Sequence, residues 1–177
     1  MLFDRHHLAI YRFLVRRIGP ESAGDLASET FVIAFTRRGT FDLSLANARP
    51  WLFGIAINLL RNHTRSERRL LRAYAESGID PIHQDDLSGV DARLDAQARG
   101  PEIARALDSL RADDRDVLLL YTWADLTYDQ IASALSIPIG TVRSRLARAR
   151  RVLRELLGME GQVGVEDEGE HQHRRLR

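Results

Sequence analysis

Residues 126–157, LTYDQIASALSIPIGTVRSRLARARRVLRELL, read as two helices joined by a tight turn. Thr127 is a suitable N-cap, and Gln130 three residues on completes a capping-box pattern. Ile131, Ala134 and Leu135 then recur at helical spacing until Ser136-Ile137-Pro138-Ile139-Gly140, where Pro138 and Gly140 punctuate the run. Thr141 is expected to cap a second helix whose apolar stripe is Val142, Leu146, Ala149, Leu153 and Leu156. Arg143, Arg145, Arg148, Arg150, Arg151 and Arg154 occupy the rest of that cylinder, with Glu155 the one acid among them. A basic second helix behind a capped first one is the form of a major-groove DNA reader. The plainer alternative, a solvated cationic face, stays open at this point.

Composition narrows the classes. The 177 residues suffice for one ordinary domain or two small ones. With no cysteine, a disulfide framework and a thiolate metal site are excluded. All 26 basic residues are arginine, the side chain best matched to phosphate. The net charge of +1 conceals segregation: residues 1–72 hold 12 Arg against 6 acids, and residues 73–98 hold 1 Arg against 6 acids. Basic modules around an acidic spacer suit a nucleic-acid protein. No apolar run approaches the roughly 18 residues of a membrane span. The first residues, MLFDRHHLAIYRFLVRR, lack a signal-peptide pattern, so a cytoplasmic location is expected.

Upstream, residues 2–18 are an amphipathic pattern in which Leu2, Leu8, Tyr11, Leu14, Val15 and Ile18 share a face, ended by Gly19-Pro20. Ser22 is placed to cap a helix over residues 23–37 that buries Leu26, Thr30, Ile33 and Ala34, with Phe31 and Phe35 widening the stripe. Asp25 and Glu29 face outward together, either as acids favoured by the positive helix end or as a docking surface. After a turn at residues 38–42, Pro50 opens a third helix reaching about residue 69, with Leu52, Ile55, Ala56, Leu59 and Leu60 inward. On its other side run Trp51, Asn58, Arg61, Asn62 and Arg65, which is either ordinary polar surface or an inventory for reading bases and holding phosphates.

Residues 73–98 are acidic, interrupted by Gly78, Pro81 and Gly89, and read as a linker; His83, Asp85 and Asp86 there are expected to be solvated rather than metal-binding. Residues 101–110 predict a helix with Ile103, Ala106, Leu107 and Leu110 inward. Asp113 is expected to cap the next, which buries Val117, Leu118, Leu120 and Tyr121 and runs to Trp123. With the helix pair of residues 126–157 this makes a four-helix unit. The polar, Gly-rich residues 159–177 should be disordered.

Both ends resemble the extracytoplasmic-function (ECF) group of bacterial RNA polymerase sigma factors. DRDVLLLYTWADLTYDQIASALSIPIGTVRSRLARAR, residues 114–150 after Asp113, is similar to sigma domain 4, the reader of the promoter −35 element. DLASETFVIAF followed by RPWLFGIAINLLRNHTR is similar to sigma domain 2. The resemblance implies an all-α chain: domain 2 at residues 1–72, a three- to four-helix bundle; a flexible acidic linker at 73–98; domain 4 at 99–158; and a tail at 159–177. It implies docking of Asp25, Glu29 and Phe31 on the clamp helices of the polymerase largest subunit, with domain 4 near the flap. Phe41, Trp51, Asn58, Arg61, Asn62 and Arg65 would meet the −10 element, Asn58 and Asn62 matching positions that contact an unstacked non-template strand. Thr141, Arg143, Ser144, Arg145 and Arg148 would meet the −35 duplex. Ala27-Ser28 stands where many members have Val-Gln, and Asn62 where many have Asp, so a −10 preference does not transfer.

The implied function is transcription initiation on core RNA polymerase at specific promoters, with no catalytic residues, no metal and no cofactor of its own. An anti-sigma protein is the expected regulatory partner. The alternative is a LuxR-like helix–turn–helix activator that binds DNA without polymerase. An enzyme acting on nucleic acid lacks any paired-acid or Ser–His arrangement above background.

Overall fold

The computed structural model describes residues 2–42, 47–77 and 100–158. They form six α-helices and no strand: α1 (Leu2–Thr36), α2 (Arg49–Ser77), α3 (Gly100–Ser109), α4 (Ala112–Thr122), α5 (Tyr128–Leu135) and α6 (Ile139–Leu156), with a short 3₁₀ turn at Arg38–Thr40 after α1. The all-helical expectation holds. His83, Asp85, Asp86 and the tail lie outside the described residues.

α1 is two limbs. Gly19 has φ 74° and ψ 170°, a conformation outside the helix that costs glycine no Cβ clash, and Pro20 supplies the preset φ that restarts it. The second limb thus opens on Pro20, and Ser22 sits inside it instead of capping it. The buried line of the first limb is Ile10, Phe13 and Leu14, while Leu2 and Leu8 are exposed, contrary to the stripe expected from spacing. In the second limb Ala23, Leu26, Ala27, Thr30 and Ala34 are buried. Phe35, expected to widen that stripe, is 70% exposed instead, with the Arg38 guanidinium over its ring. Thr30 is buried because its hydroxyl donates to the Leu26 carbonyl at 2.7 Å, which removes the cost of an unpaired polar group.

α2 runs eight residues beyond its expected end, through Ser77. Every residue from Leu52 to Ile57 is buried, so the helix is covered on two sides rather than along one stripe. One side faces α1. The other meets α5, because the two halves of the chain share a single contiguous hydrophobic core, and farther along Arg61 reaches the carboxylates of α4. Phe13 lies at their junction, edge-on to Phe53 at 5.3 Å between centroids and to Trp123 at 6.4 Å. Full burial of one such aromatic side chain contributes roughly 1.5–3 kcal/mol. Arg16 stacks over Trp123, and Arg49 donates Nη2 to the Ala124 carbonyl at 2.8 Å. At Gly54 a Cβ would overlap the Ala134 carbonyl oxygen and lie 3.2 Å from its carbon, so only glycine lets α5 approach α2 this closely.

In the C-terminal half, α4 buries Val117, Leu118, Leu119 and Leu120. Tyr121 points outward, 37% exposed, and stacks near Tyr128 instead of entering the core. Ile103 is likewise exposed, since only Ala106 and Leu110 of the α3 segment are buried and Leu107 is packed against the core. Among the described residues no helix is long and apolar enough to cross a membrane, and no cluster of three His, Cys, Asp or Glu could hold a metal.

Candidate nucleic-acid interface

The helix–turn–helix is built by local chemistry. Thr127 accepts from the Gln130 amide at 3.3 Å while the Gln130 side chain accepts from the Thr127 amide at 3.0 Å, the reciprocal capping box expected of the sequence. Ser136, in the left-handed region at φ 53°, ends α5. Pro138 is the N-cap of α6: its carbonyl accepts from the amides of Thr141 at 2.9 Å and Val142 at 3.2 Å. Thr141 is therefore inside the first turn and not its cap, and Gly140 is helical rather than a breaker. The extended φ/ψ that proline favours starts the helix three residues earlier than a hydroxyl-capping pattern suggested.

Val142, Leu146 and Ala149 seat α6 in the core; Leu156 at its end is exposed. The remaining face divides in two. Arg143 and Ser144 are exposed to solvent, and Thr141 is half-buried beside them. Arg145 and Arg148 instead turn back onto α4. Arg148 grips Asp114 with two parallel bonds, Nε–Oδ2 at 2.7 Å and Nη2–Oδ1 at 3.0 Å, and this partner raises the Arg148 pKa above its ordinary value. Arg145 donates to Asp113 Oδ2 at 2.9 Å.

Asp113 carries more than the capping role expected of it. Arg111 is the N-cap of α4 and makes no side-chain cap, whereas the Asp113 carboxylate joins three helices. Its Oδ2 holds Arg145 of α6 and its Oδ1 holds Arg61 of α2 at 2.9 Å. Arg61 also donates Nε to Asp116, which is buried at 4% exposure. Burial pushes the Asp116 carboxyl above its usual pKa, and Arg61 only partly offsets that. Sequence reasoning placed the arginines and missed their carboxylate partners. The acids of the run Asp113-Asp114-Arg115-Asp116, just ahead of an apolar stretch, were the available signal.

On α2 the expected line splits for the same reason. Asn58, Asn62 and Arg65 are exposed on one face, with Trp51 half-buried at its start. Phe41 approaches Trp51 with ring centroids 5.2 Å apart, so the loop residue and the helix face do converge. Arg61 sits at the edge of this face: at 100° per residue it is about 40° from Arg65 but about 100° from Asn62, and its guanidinium turns to α4. On α1, Asp25 and Glu29 are exposed side by side, and Phe31 is half-buried against Phe3 and His7. Val32 and Phe35, at 64% and 70% exposure, make the neighbouring surface apolar.

Known proteins match most of the chain. The family model for Sigma-70 region 2 matches residues 2–70, and that for Sigma-70 region 4 matches residues 101–153. The RNA polymerase sigma factor HrpL of Pseudomonas syringae pv. syringae is 33% identical over 81% of this chain and 78% of its own. The ECF RNA polymerase sigma factor SigC of Mycobacterium tuberculosis is 34% identical over 81% of this chain and 75% of its own. The chain belongs to the ECF sigma factors. Among solved structures, the sigma factor RpoE of Bartonella quintana, in complex with the anti-sigma factor NepR, is similar with a TM-score of 0.64 and 26% identity, over 89% of this chain and 95% of its own. As a sigma factor, the chain directs RNA polymerase to specific promoters, and the reading as a polymerase-independent activator is not favoured.

Proposed function

We propose that the residues of this ECF sigma factor divide into two promoter readers and one polymerase-docking surface, as domains 2 and 4 separated by residues 73–98. Asn58 and Asn62, with Trp51, Phe41 and Arg65, receive the −10 non-template strand. The exposed Asn amides on a rigid helix, beside a pair of aromatic rings, are the observation that carries this reading. Amides read base edges, and rings stack on an unpaired base. Arg143 and Ser144 take the −35 duplex with Thr141, while Arg145 and Arg148 are held in reserve by Asp113 and Asp114. Asp25, Glu29 and Phe31 dock on the clamp helices of core polymerase, an acidic and apolar surface suited to a basic partner.

Asp113 of the C-terminal half holds Arg61 of the N-terminal half as well as Arg145 of its own. Reaching −10 and −35 at once requires the halves to separate, and Arg61 then exchanges Asp113 for DNA phosphate. The sigma factor performs no chemistry of its own; nucleotidyl transfer is the polymerase's. It works in the cytoplasm, where the polymerase is. An anti-sigma protein restrains it, as the RpoE complex suggests by analogy. Run-off transcription tests the assignment: core polymerase plus this chain yields promoter-dependent transcripts, and core polymerase alone does not. Tight, specific promoter binding by the free chain, with no gain from polymerase, would overturn it.

A further inference from the structure

Where the N-terminal and C-terminal halves meet, α1, α2 and α4 enclose a cleft of about 380 Å³ whose lining is strongly cationic. Arg61, Arg65, Arg68 and Arg72 follow one another at intervals of four, three and four residues, so they share one face of α2, and Arg69 joins them at the rim. Arg17 of α1 and Arg115 of α4 stand on the other walls. The acids of the lining are Asp113 and Asp116, both already engaged by Arg61. Asp108 just outside holds Arg17 at 2.7 Å and Arg115 at 3.4 Å. Among the described residues, no carboxylate pairs with Arg65, Arg68, Arg69 or Arg72.

Arg115 shows what this crowding costs. It is 7% exposed, and its guanidinium is pushed below its ordinary pKa by burial first and then by the positive charge of Arg17, which Asp108 and Asp116 offset only in part. A further anion beside it would relieve the remainder. We propose that this cleft is a binding site for a compact polyanion of the pyrophosphate or nucleoside di- and triphosphate class, held between Arg68 of α2 and Arg115 of α4. The volume is within the roughly 300–1,000 Å³ of small-molecule pockets, but the lining is guanidinium forks that suit phosphoryl oxygens rather than apolar walls. Ala112, at the positive end of α4, completes it. A strand of nucleic acid presents its phosphates in a line along an open surface; this cleft is walled by two halves of the chain. Because the ligand bridges both halves, it binds the closed arrangement alone. At a concentration about 100-fold above its Kd it would raise the closed-to-open ratio about 100-fold.

The test is calorimetric titration of the full chain with pyrophosphate and with tripolyphosphate, at constant ionic strength, without polymerase or promoter. It is therefore independent of the promoter-reading assignment. The expected result is saturable one-to-one binding, roughly 10- to 100-fold weaker in Arg68→Gln or Arg115→Gln for the loss of one charge-assisted contact. Arg151→Gln, on the far part of α6, should bind as the wild type does. If Arg115→Gln does not fold by circular dichroism, the exposed Arg68→Gln decides the matter. No saturable binding, or binding indifferent to Arg68→Gln, overturns the proposal. Displacement of pyrophosphate by an unphosphorylated DNA 12-mer whose own binding depends more strongly on Arg68 overturns it too, by making the anion a nucleic-acid backbone.

Discussion

Gly54→Ala should separate the stability of α2 from the stability of the closed arrangement. Within a helix, alanine is favoured over glycine by roughly 0.5–1 kcal/mol, so α2 itself should gain. At this position, however, the new methyl overlaps the Ala134 carbonyl oxygen and lies 3.2 Å from the carbonyl carbon and 3.4 Å from the Ala134 Cα. Those are backbone atoms of α5 and cannot swing aside as a long side chain would. α5 must back away from α2, at an overpacking cost of about 1–3 kcal/mol. The closed-to-open ratio should then fall about 5- to 150-fold. Small-angle X-ray scattering should show a larger radius of gyration, and hydrogen exchange should quicken for α5 amides while those of α2 hold or slow. An unchanged radius with unchanged α5 exchange would refute the reasoning, because it would mean that the α2–α5 contact does not hold the halves together in solution.

Other outcomes follow from the same contacts. Asp114→Asn removes the fork that holds Arg148, so the thermal midpoint should fall while affinity for −35 duplex in a fluorescence anisotropy assay holds or rises; loss of both would place Asp114 on the DNA side. Four to six phosphate contacts by the holoenzyme's sigma arginines should give a slope of about −3.6 to −5.4 in log K against log salt, and Arg143→Ala should reduce its magnitude by about 1. His6 is held below its ordinary pKa by burial first and then by Arg49 and Arg5, so the folded chain binds fewer protons there. Its contribution to stability is complete above the unfolded value of about 6.5 and declines as pH falls below that. Urea midpoints at pH 7.5 and 5.5 should therefore differ less in His6→Gln than in the wild type, and an equal difference would remove His6 as the cause.

The helix–turn–helix was legible because its signals are local: the Thr127–Gln130 box and the turn at residues 136–138 depend on neighbours a few positions away. Asn58 and Asn62 were legible as an exposed pair for the same reason, since helical spacing alone sets their common face. What could not be read was contact between distant segments. Arg61 looks like a member of the Asn58 face until α4 is placed against it, and Asp113 looks like a cap until Arg145 and Arg61 arrive from 32 and 52 residues away. Phe53 and Ile57 were absent from the expected stripe because one amphipathic face suffices for a two-domain chain, whereas a shared core buries a second. Tyr121, Ile103 and Phe35 erred the other way: their spacing suited burial, but they remain at the surface, Tyr121 beneath Arg150 and Phe35 beneath Arg38.

The division of labour between α2 and α6 is the central claim, and promoter opening tests it most directly. Holoenzyme formed with this chain is mixed with promoter DNA carrying a fluorescent base analogue in the −10 non-template strand, with footprinting of the −35 duplex in parallel. For Asn58→Ala, −35 protection should persist while the opening signal is slowed or lost. Equal loss of −35 protection and opening in that variant would contradict it.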